Sequence, residues 1–263
     1  MSQPPTTPLP SSSNQALRSI QEMLDAASSE WPLFPPTLLY NEGWLLRLIL
    51  AWFAAHPGRA HPLSFMVAAR WFSEALLPSA FLPRSRSDKL AESRTHADGV
   101  AGHFQIGQEG KADLQLLPDA SQFLVLEAKM FSTLSSGVTN APYFDQAARN
   151  VACIAEVLRR ANRPPSALTK LGFYVLAPNQ QFKKGLFSRA LDKKSILNKT
   201  QRRVQAYAGE KDEWFERWFQ PTLTTIDIRS LNWESVITTI QSQDPAAGDA
   251  IDQFYALCLR FNQ

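Results

Sequence analysis

Glu127 and Lys129 have the residue types and the spacing to hold a metal ion and activate a water molecule. They stand two residues apart in the segment QFLVLEAKM. The alternation of a strand puts both side chains on one face, opposite the leucines of the segment. A carboxylate can ligate a divalent cation, and a nearby lysine can place an attacking water and offset charge on a phosphoryl group.

Asp113 is the second acidic candidate, because it opens the preceding apolar run, KADLQLL. The turn-forming letters PDAS at 118–121 predict an antiparallel hairpin that puts Asp113 opposite Leu126 or Glu127. An even register brings the carboxylates of Asp113 and Glu127 to one face, about 5 Å apart. Carboxylates this close repel each other unless a cation lies between them, so the pair predicts a divalent metal site.

Three further acids bear on this prediction. Glu42 lies within the apolar stripe of a predicted helix, 35–56, where a core salt bridge or a metal site would explain it. Asp98, in THADGV, could replace Asp113 or add a ligand. Asp119 follows Pro118 directly, but a turn residue points away from the face of the sheet.

The predicted elements form an α/β domain in the order helix, three antiparallel strands, helix and strand, with additional N- and C-terminal helices. The leading predictions are helices at 14–28, 35–56 and 63–77, strands at 97–106, 112–117 and 122–129, a helix at 142–160 and a strand at 171–177. Basic helices at about 180–208, an aromatic helix at 214–219, a strand at 223–228 and helices at 233–241 and 245–260 complete the chain. We expect a disordered leader over 1–13 and a single domain over 14–263, with its core at about 35–177 and a basic helical extension at about 178–263.

Composition narrows the functional classes. The chain has 263 residues, 44% of them hydrophobic, and a formal net charge of +3, which suits a folded domain and not a polycation. Its two cysteines form no disulfide framework, and its four histidines form no HExxH zinc motif. The sequence predicts neither a signal peptide nor a membrane span, so we expect a cytoplasmic protein.

This arrangement resembles the PD-(D/E)XK nuclease superfamily, which has the restriction-endonuclease-like αβββαβ core. The resemblance rests on Glu42 on a helix, Asp113 on a strand, Glu127-x-Lys129 on the next strand, and Gln146 on the following helix. It implies that Asp113 and Glu127, with Glu42, bind Mg²⁺ or Mn²⁺, that Lys129 assists the water, and that Gln146 joins the site. The implied activity is hydrolysis of phosphodiester bonds, with DNA as the expected substrate.

A basic run follows the predicted core. Between positions 183 and 203, eight Lys or Arg residues stand against one acid, Asp192. Such a run would bind a phosphodiester backbone without reading its sequence. The predicted contacts are Lys183, Lys184, Arg189, Lys193, Lys194, Arg202 and Arg203. The loop over 131–140, rich in Ser and Thr, could add hydroxyl and amide donors or serve only as a connector.

Two other function classes stay open. The fold could serve as a catalytically inactive nucleic-acid-binding module, or as a structural subunit that contacts only proteins. We also leave open a homodimer or a place in a larger defence or repair complex. Binding of a divalent metal would distinguish the nuclease from both of these classes. Salt-dependent binding to DNA would distinguish the nucleic-acid-binding module from the structural subunit.

Overall fold

The computed structural model describes residues 11–107, 110, 112–137 and 140–263. In chain order, its elements are helices α1 (Ser11–Asp25) and α2 (Glu42–Ala55), strands β1 (Arg70–Leu77), β2 (Thr95–Gly102), β3 (Phe104–Ile106), β4 (Leu114–Leu116) and β5 (Gln122–Ala128), helix α3 (Gln146–Arg160), strand β6 (Lys170–Ala177), helices α4 (Asn179–Lys183), α5 (Ser188–Leu191), α6 (Lys193–Gln205), α7 (Asp212–Trp214) and α8 (Gln220–Thr225), strand β7 (Asp227–Asn232), and helices α9 (Trp233–Gln243) and α10 (Pro245–Asn262). A π-helical turn, Phe215–Phe219, joins α7 to α8. Most of the predicted disordered leader lies outside the described residues.

Five strands form one mixed sheet in the order β1-β2-β5-β6-β7. The pairs β1–β2 and β2–β5 are antiparallel, whereas β5–β6 and β6–β7 are parallel. Helix α3 connects β5 to β6, as a parallel pair requires. The mixed α/β class predicted from the sequence is therefore confirmed.

Helices cover both faces of the sheet. On one face, α3 and helices α4 to α8 pack on a core that includes Phe123 and Val125 of β5. On the other face, α2, α9 and α10 pack on a core that includes Leu124 and Leu126. Alternate residues of β5 thus face opposite layers, and all seven of its residues are buried.

The predicted helix over 63–77 is wrong, because residues 70–77 form β1 at the edge of the sheet. Its backbone pairs with β2 from Arg70↔Gly102 to Leu77↔Thr95. Trp71 and Phe72 at its start favour a strand, and pairing with β2 overrides the helical spacing of the later apolar residues.

The predicted hairpin between 112–117 and 122–129 is also wrong. Strand β4 pairs with β3 in a separate two-stranded sheet, and β5 pairs with β2 and β6. The predicted strand over 97–106 is divided at Gly102, which has a positive φ of 146° and allows β3 to leave the main sheet. The strand predicted over 223–228 begins later, as β7, since α8 extends to Thr225.

Helix α2 begins later than predicted. A 3₁₀ turn at Pro36–Leu38 precedes it, and the side chain of Asn41 accepts a hydrogen bond from the Trp44 amide and caps its first turn. Glu42 is therefore the first residue of α2. Within the described residues, the structure contains no helix that is both long enough and apolar enough to cross a membrane.

Candidate active site

Asp98, Glu127 and Lys129 meet where β2 and β5 end side by side. The β2–β5 register runs from Gly102↔Phe123 to Gly99↔Leu126, and its next step places Asp98 beside Glu127. The Asp98 Oδ2 atom accepts a hydrogen bond of 2.8 Å from the Ala128 amide and lies 4.0 Å from Lys129 Nζ. Lys129 Nζ donates to Glu127 Oε1 at 2.5 Å.

The β-sheet geometry around Asp98 depends on two unusual backbone features. A Cβ atom on Gly99 would lie 2.9 Å from Leu46 Cδ2, so glycine allows α2 to pack closely on β2 there. Glu74, which the β1–β2 register places across from Asp98, has a positive φ of 57°. The Arg47 guanidinium contacts β1 at this point. It donates a hydrogen bond to Ser73 Oγ at 2.9 Å and forms an ion pair with Glu74 at 3.6 Å.

Glu127 is completely buried, and polar side chains of α3 surround its carboxylate. Gln146 Nε2 donates to Oε1, and Asn150 Nδ2 donates to Oε2 at 3.3 Å. Burial and, secondarily, repulsion by Asp98 raise the pKa of Glu127 to about 8. Ionisation of Glu127 therefore costs free energy in this site, and a bound cation would offset that cost.

Lys129 is held at both its backbone and its side chain. Its amide donates to the Leu176 carbonyl at 2.8 Å, and its carbonyl accepts from Trp233 Nε1 at 3.0 Å. Burial lowers the pKa of its amine, whereas the carboxylates of Glu127, Asp98 and Glu42 raise that pKa. The carboxylates together outweigh burial, so the net shift of the pKa is upward. Lys129 is therefore a fixed cation at neutral pH.

Glu42 is half-buried and lies near enough for its charge to act on Lys129. The position predicted within the apolar stripe of the helix is thus corrected to the partly exposed start of α2. The structure brings Glu42, Glu127, Lys129 and Gln146 toward one region, as the sequence predicted.

Asp113 does not join them, and its predicted place beside Glu127 is wrong. It forms a parallel bridge with Leu76, on the outer side of β1. Strands β1 and β2 therefore lie between it and β5, which separates the backbones by about 14 Å at about 4.8 Å per strand. Asp98, the alternative named from the sequence, takes the position beside Glu127.

The loop after β5 is tied to the start of α3. Gln146 Oε1 accepts a hydrogen bond of 3.0 Å from the Ser135 amide, and the Gln146 amide donates to the Ser135 carbonyl at 3.0 Å. Gln146 thus joins this loop to Glu127. Of the predicted phosphate-binding loop, residues 138 and 139 lie outside the described residues.

Searches of family models, curated proteins and solved structures find no match to this chain.

The site fits a magnesium ion in part. Within residues 11–107, 110, 112–137 and 140–263, no group of three or more His, Cys, Asp or Glu side chains is arranged to hold a metal. Mg²⁺ in proteins keeps several waters and commonly uses one or two carboxylates. Asp98 and Glu127 supply two, and the buried Asn150 Oδ1 adds a polar atom that has no hydrogen-bond partner among the described residues.

The predicted basic surface is present, with one exception. Lys183, Lys184, Arg189, Lys193, Lys194 and Arg202 are exposed on α4, α5 and α6 or just after α4. Arg203 is fully buried, and its guanidinium donates to the Leu90 carbonyl, so it cannot bind phosphate in this structure. Arg202 and Arg203 lie on different faces of α6, because neighbouring residues of a helix are about 100° apart around its axis.

Sequence reasoning missed three supports of the site. Asn150 contacts Glu127, Trp233 binds the Lys129 carbonyl, and Lys199 binds Asp145 at 2.7 Å. The spacing of Gln146 and Asn150, one helical turn apart, was the only sequence signal among them. The other two contacts join segments far apart in the chain.

Proposed function

We propose that this chain is a magnesium-dependent nuclease with a restriction-endonuclease-like core. The core would comprise α2, β1, β2, β5, α3 and β6, with the β3–β4 hairpin inserted between the second and third strands. The order helix, three antiparallel strands, helix and parallel strand supports this assignment. It differs from the sequence prediction in which segments supply the first two strands.

The observation that carries the proposal is the convergence of Asp98, Glu127 and Lys129 at adjacent strand ends. Lys129 Nζ lies 2.5 Å from Glu127 Oε1 and 4.0 Å from Asp98 Oδ2. Asp98 and Glu127 would hold the metal ion. A bound Mg²⁺ supplies Lewis-acid stabilisation of a phosphoryl oxygen and lowers the pKa of a bound water.

Each protein group then has a defined part. Lys129, charged at neutral pH, would orient the attacking water and offset the negative charge that develops on the phosphoryl group. Gln146 and Asn150 hold the Glu127 carboxylate in place by hydrogen bonds to its two oxygens. Glu42 would bind the metal's outer water ligands from the start of α2.

The charge of the neighbouring surface supports nucleic acid as the substrate. The exposed cations of α4 to α6 lie after β6, and Lys199 of α6 binds Asp145, the residue that caps α3 beside Gln146. A phosphodiester backbone would therefore meet basic side chains next to the catalytic residues. DNA is the substrate we propose.

A cleavage assay tests this proposal. Purified protein should cut labelled DNA with Mg²⁺ or Mn²⁺ and not with EDTA. Lys129→Met keeps the length and apolar stem of the side chain but removes its charge, and it should abolish cleavage without changing the far-UV circular dichroism. DNA binding without cleavage by the wild type would identify a catalytically inactive binding module instead.

A further inference from the structure

A cavity of about 480 Å³ opens beside the start of α3. Its lining includes Tyr143 and Asp145 from the segment before α3, Arg189 from α5, and Lys199 and Arg202 from α6. Lys199 pairs with Asp145, so the charges of Arg189 and Arg202 are in excess. The cavity therefore combines a net positive charge with an aromatic ring.

The cavity adjoins the candidate active site through consecutive residues. Asp145 lines the cavity, and the next residue, Gln146, donates to the Glu127 carboxylate. The cavity and the candidate active site therefore meet at the start of α3, where Asp145 and Gln146 are neighbours in the chain.

The guanidinium of Arg202 lies over the Tyr143 ring in the lining of the cavity. The guanidinium carbon of Arg202 lies 3.8 Å from the centre of the Tyr143 ring, in a cation–π contact. Tyr143 is half-buried and packs on the core beneath it, whereas Arg202 is exposed. Aromatic rings and guanidinium planes are the side chains on which proteins stack unpaired bases.

We propose that this cavity binds one unstacked nucleotide of a single-stranded nucleic acid, adjacent to the phosphodiester bond that is cut. Its base would stack on the exposed guanidinium of Arg202, which the Tyr143 ring supports from below, and Arg189 would bind its phosphate. This inference rests on the proposed nuclease function and names the substrate class as single-stranded or locally unpaired.

The shape and chemistry of the cavity favour a single strand over a duplex. A volume near 480 Å³ is in the range of pockets that take one small ligand. In a duplex, the faces of the bases are stacked on each other and are not available to a side chain unless the base is flipped out. A duplex would contact only the exposed Lys and Arg side chains of α4 to α6 and not the cavity.

Fluorescence anisotropy in EDTA measures binding without metal-dependent cleavage. A labelled oligothymidine should bind the wild type more tightly than a duplex of the same length. Tyr143→Leu keeps apolar packing but removes the ring, and it should weaken single-strand binding by about 5- to 150-fold. Tyr143→Phe keeps the ring and should bind like the wild type.

Arg202→Gln should also weaken binding and should reduce the slope of log affinity against log salt by about 0.7. Arg217→Gln is the matched control, because Arg217 is exposed and lines a different cavity with Arg159 and Asn162. Arg159 lies near the C-terminal end of α3, about 20 Å along the helix from Gln146. The control should leave affinity unchanged.

The inference is overturned if Tyr143→Leu binds the single strand as tightly as Tyr143→Phe, or if Arg202→Gln behaves like Arg217→Gln. Equal or tighter binding of the duplex also overturns it. Cleavage with Mg²⁺ alongside these results would leave the nuclease function standing. Conversely, the expected binding pattern without any cleavage would support the cavity and refute the nuclease.

Discussion

Replacing Glu127 by glutamine should stabilise the metal-free protein above neutral pH. The substitution keeps the size of the side chain and an oxygen that can accept from Lys129, but it removes the buried carboxyl group. That group has a pKa of about 8 in the folded protein, against an ordinary value of 4.5 for a glutamate. The difference arises from burial first and from the neighbouring Asp98 second.

The sign follows from proton linkage. Because the folded state binds the Glu127 proton more tightly than the unfolded state, stability falls as pH rises from about 4.5 to about 8. Between pH 5 and pH 8 this one carboxyl should cost about 3–4 kcal/mol of the free energy of unfolding. The glutamine variant should lose that pH dependence.

Urea denaturation in EDTA at pH 5 and pH 8 measures the effect for wild type and variant. Glu156→Gln, on α3, is a control of opposite sign. Hydrogen bonds from Arg159 and Arg160, at 2.7 and 2.8 Å, outweigh burial and lower the pKa of Glu156. Its contribution to stability is present above the unfolded-state pKa and is lost as pH falls, so Glu156→Gln should destabilise the protein at pH 8.

The reasoning is refuted if Glu127→Gln and wild type lose the same stability between pH 5 and pH 8. It is also refuted if both glutamine variants change stability at pH 8 in the same direction. Either result would mean that burial and the charge of Asp98 do not raise the pKa of Glu127.

Three further predictions follow from the same contacts. Binding of Mg²⁺ at pH 7 should release about 0.9 proton from Glu127, because its pKa is about 8. Calorimetry in buffers of different ionisation enthalpy measures this release, and binding enthalpies that do not vary with the buffer would contradict it. Gln146→Ala should slow magnesium-dependent cleavage by about 10- to 100-fold, because Glu127 and the Ser135 loop lose their shared partner, and an unchanged rate would contradict that role. Arg203→Met should leave single-strand affinity unchanged where Arg202→Gln weakens it, because Arg203 is buried; equal losses in anisotropy would show that Arg203 reaches the nucleic acid.

Local pattern was sufficient to predict several parts of the fold and site. The 3.6-residue apolar spacing predicted α3, and the uninterrupted apolar run LGFYVLA predicted β6. The alternation in QFLVLEAKM put Glu127 opposite the leucines, and the structure has the same arrangement. These features depend on residues close together in the chain.

Strand partners could not be predicted in this way, and the error over Asp113 has that cause. The turn at 118–121 made β4 and β5 appear to be neighbours, but β4 pairs with β3, and β2 pairs with β5 across the intervening hairpin. Strand β5 is buried on both faces and lies at the centre of the sheet, between β2 and β6, which are distant from it in sequence. The helical spacing in 70–77 misled for the same reason, since pairing with β2 outweighs local propensity.

Rates of DNA cleavage by Asp98→Asn and Asp113→Asn, measured side by side with Mg²⁺, test the central claim most directly. Both substitutions remove one charge and keep the side-chain size, but only Asp98 lies beside Glu127 and Lys129. Asp98→Asn should lose more than about 100-fold in rate, beyond the loss typical of residues that only orient a ligand, while Asp113→Asn should cut like the wild type. Wild-type cleavage by Asp98→Asn, or a comparable loss in Asp113→Asn with the fold intact, would contradict the proposed catalytic site.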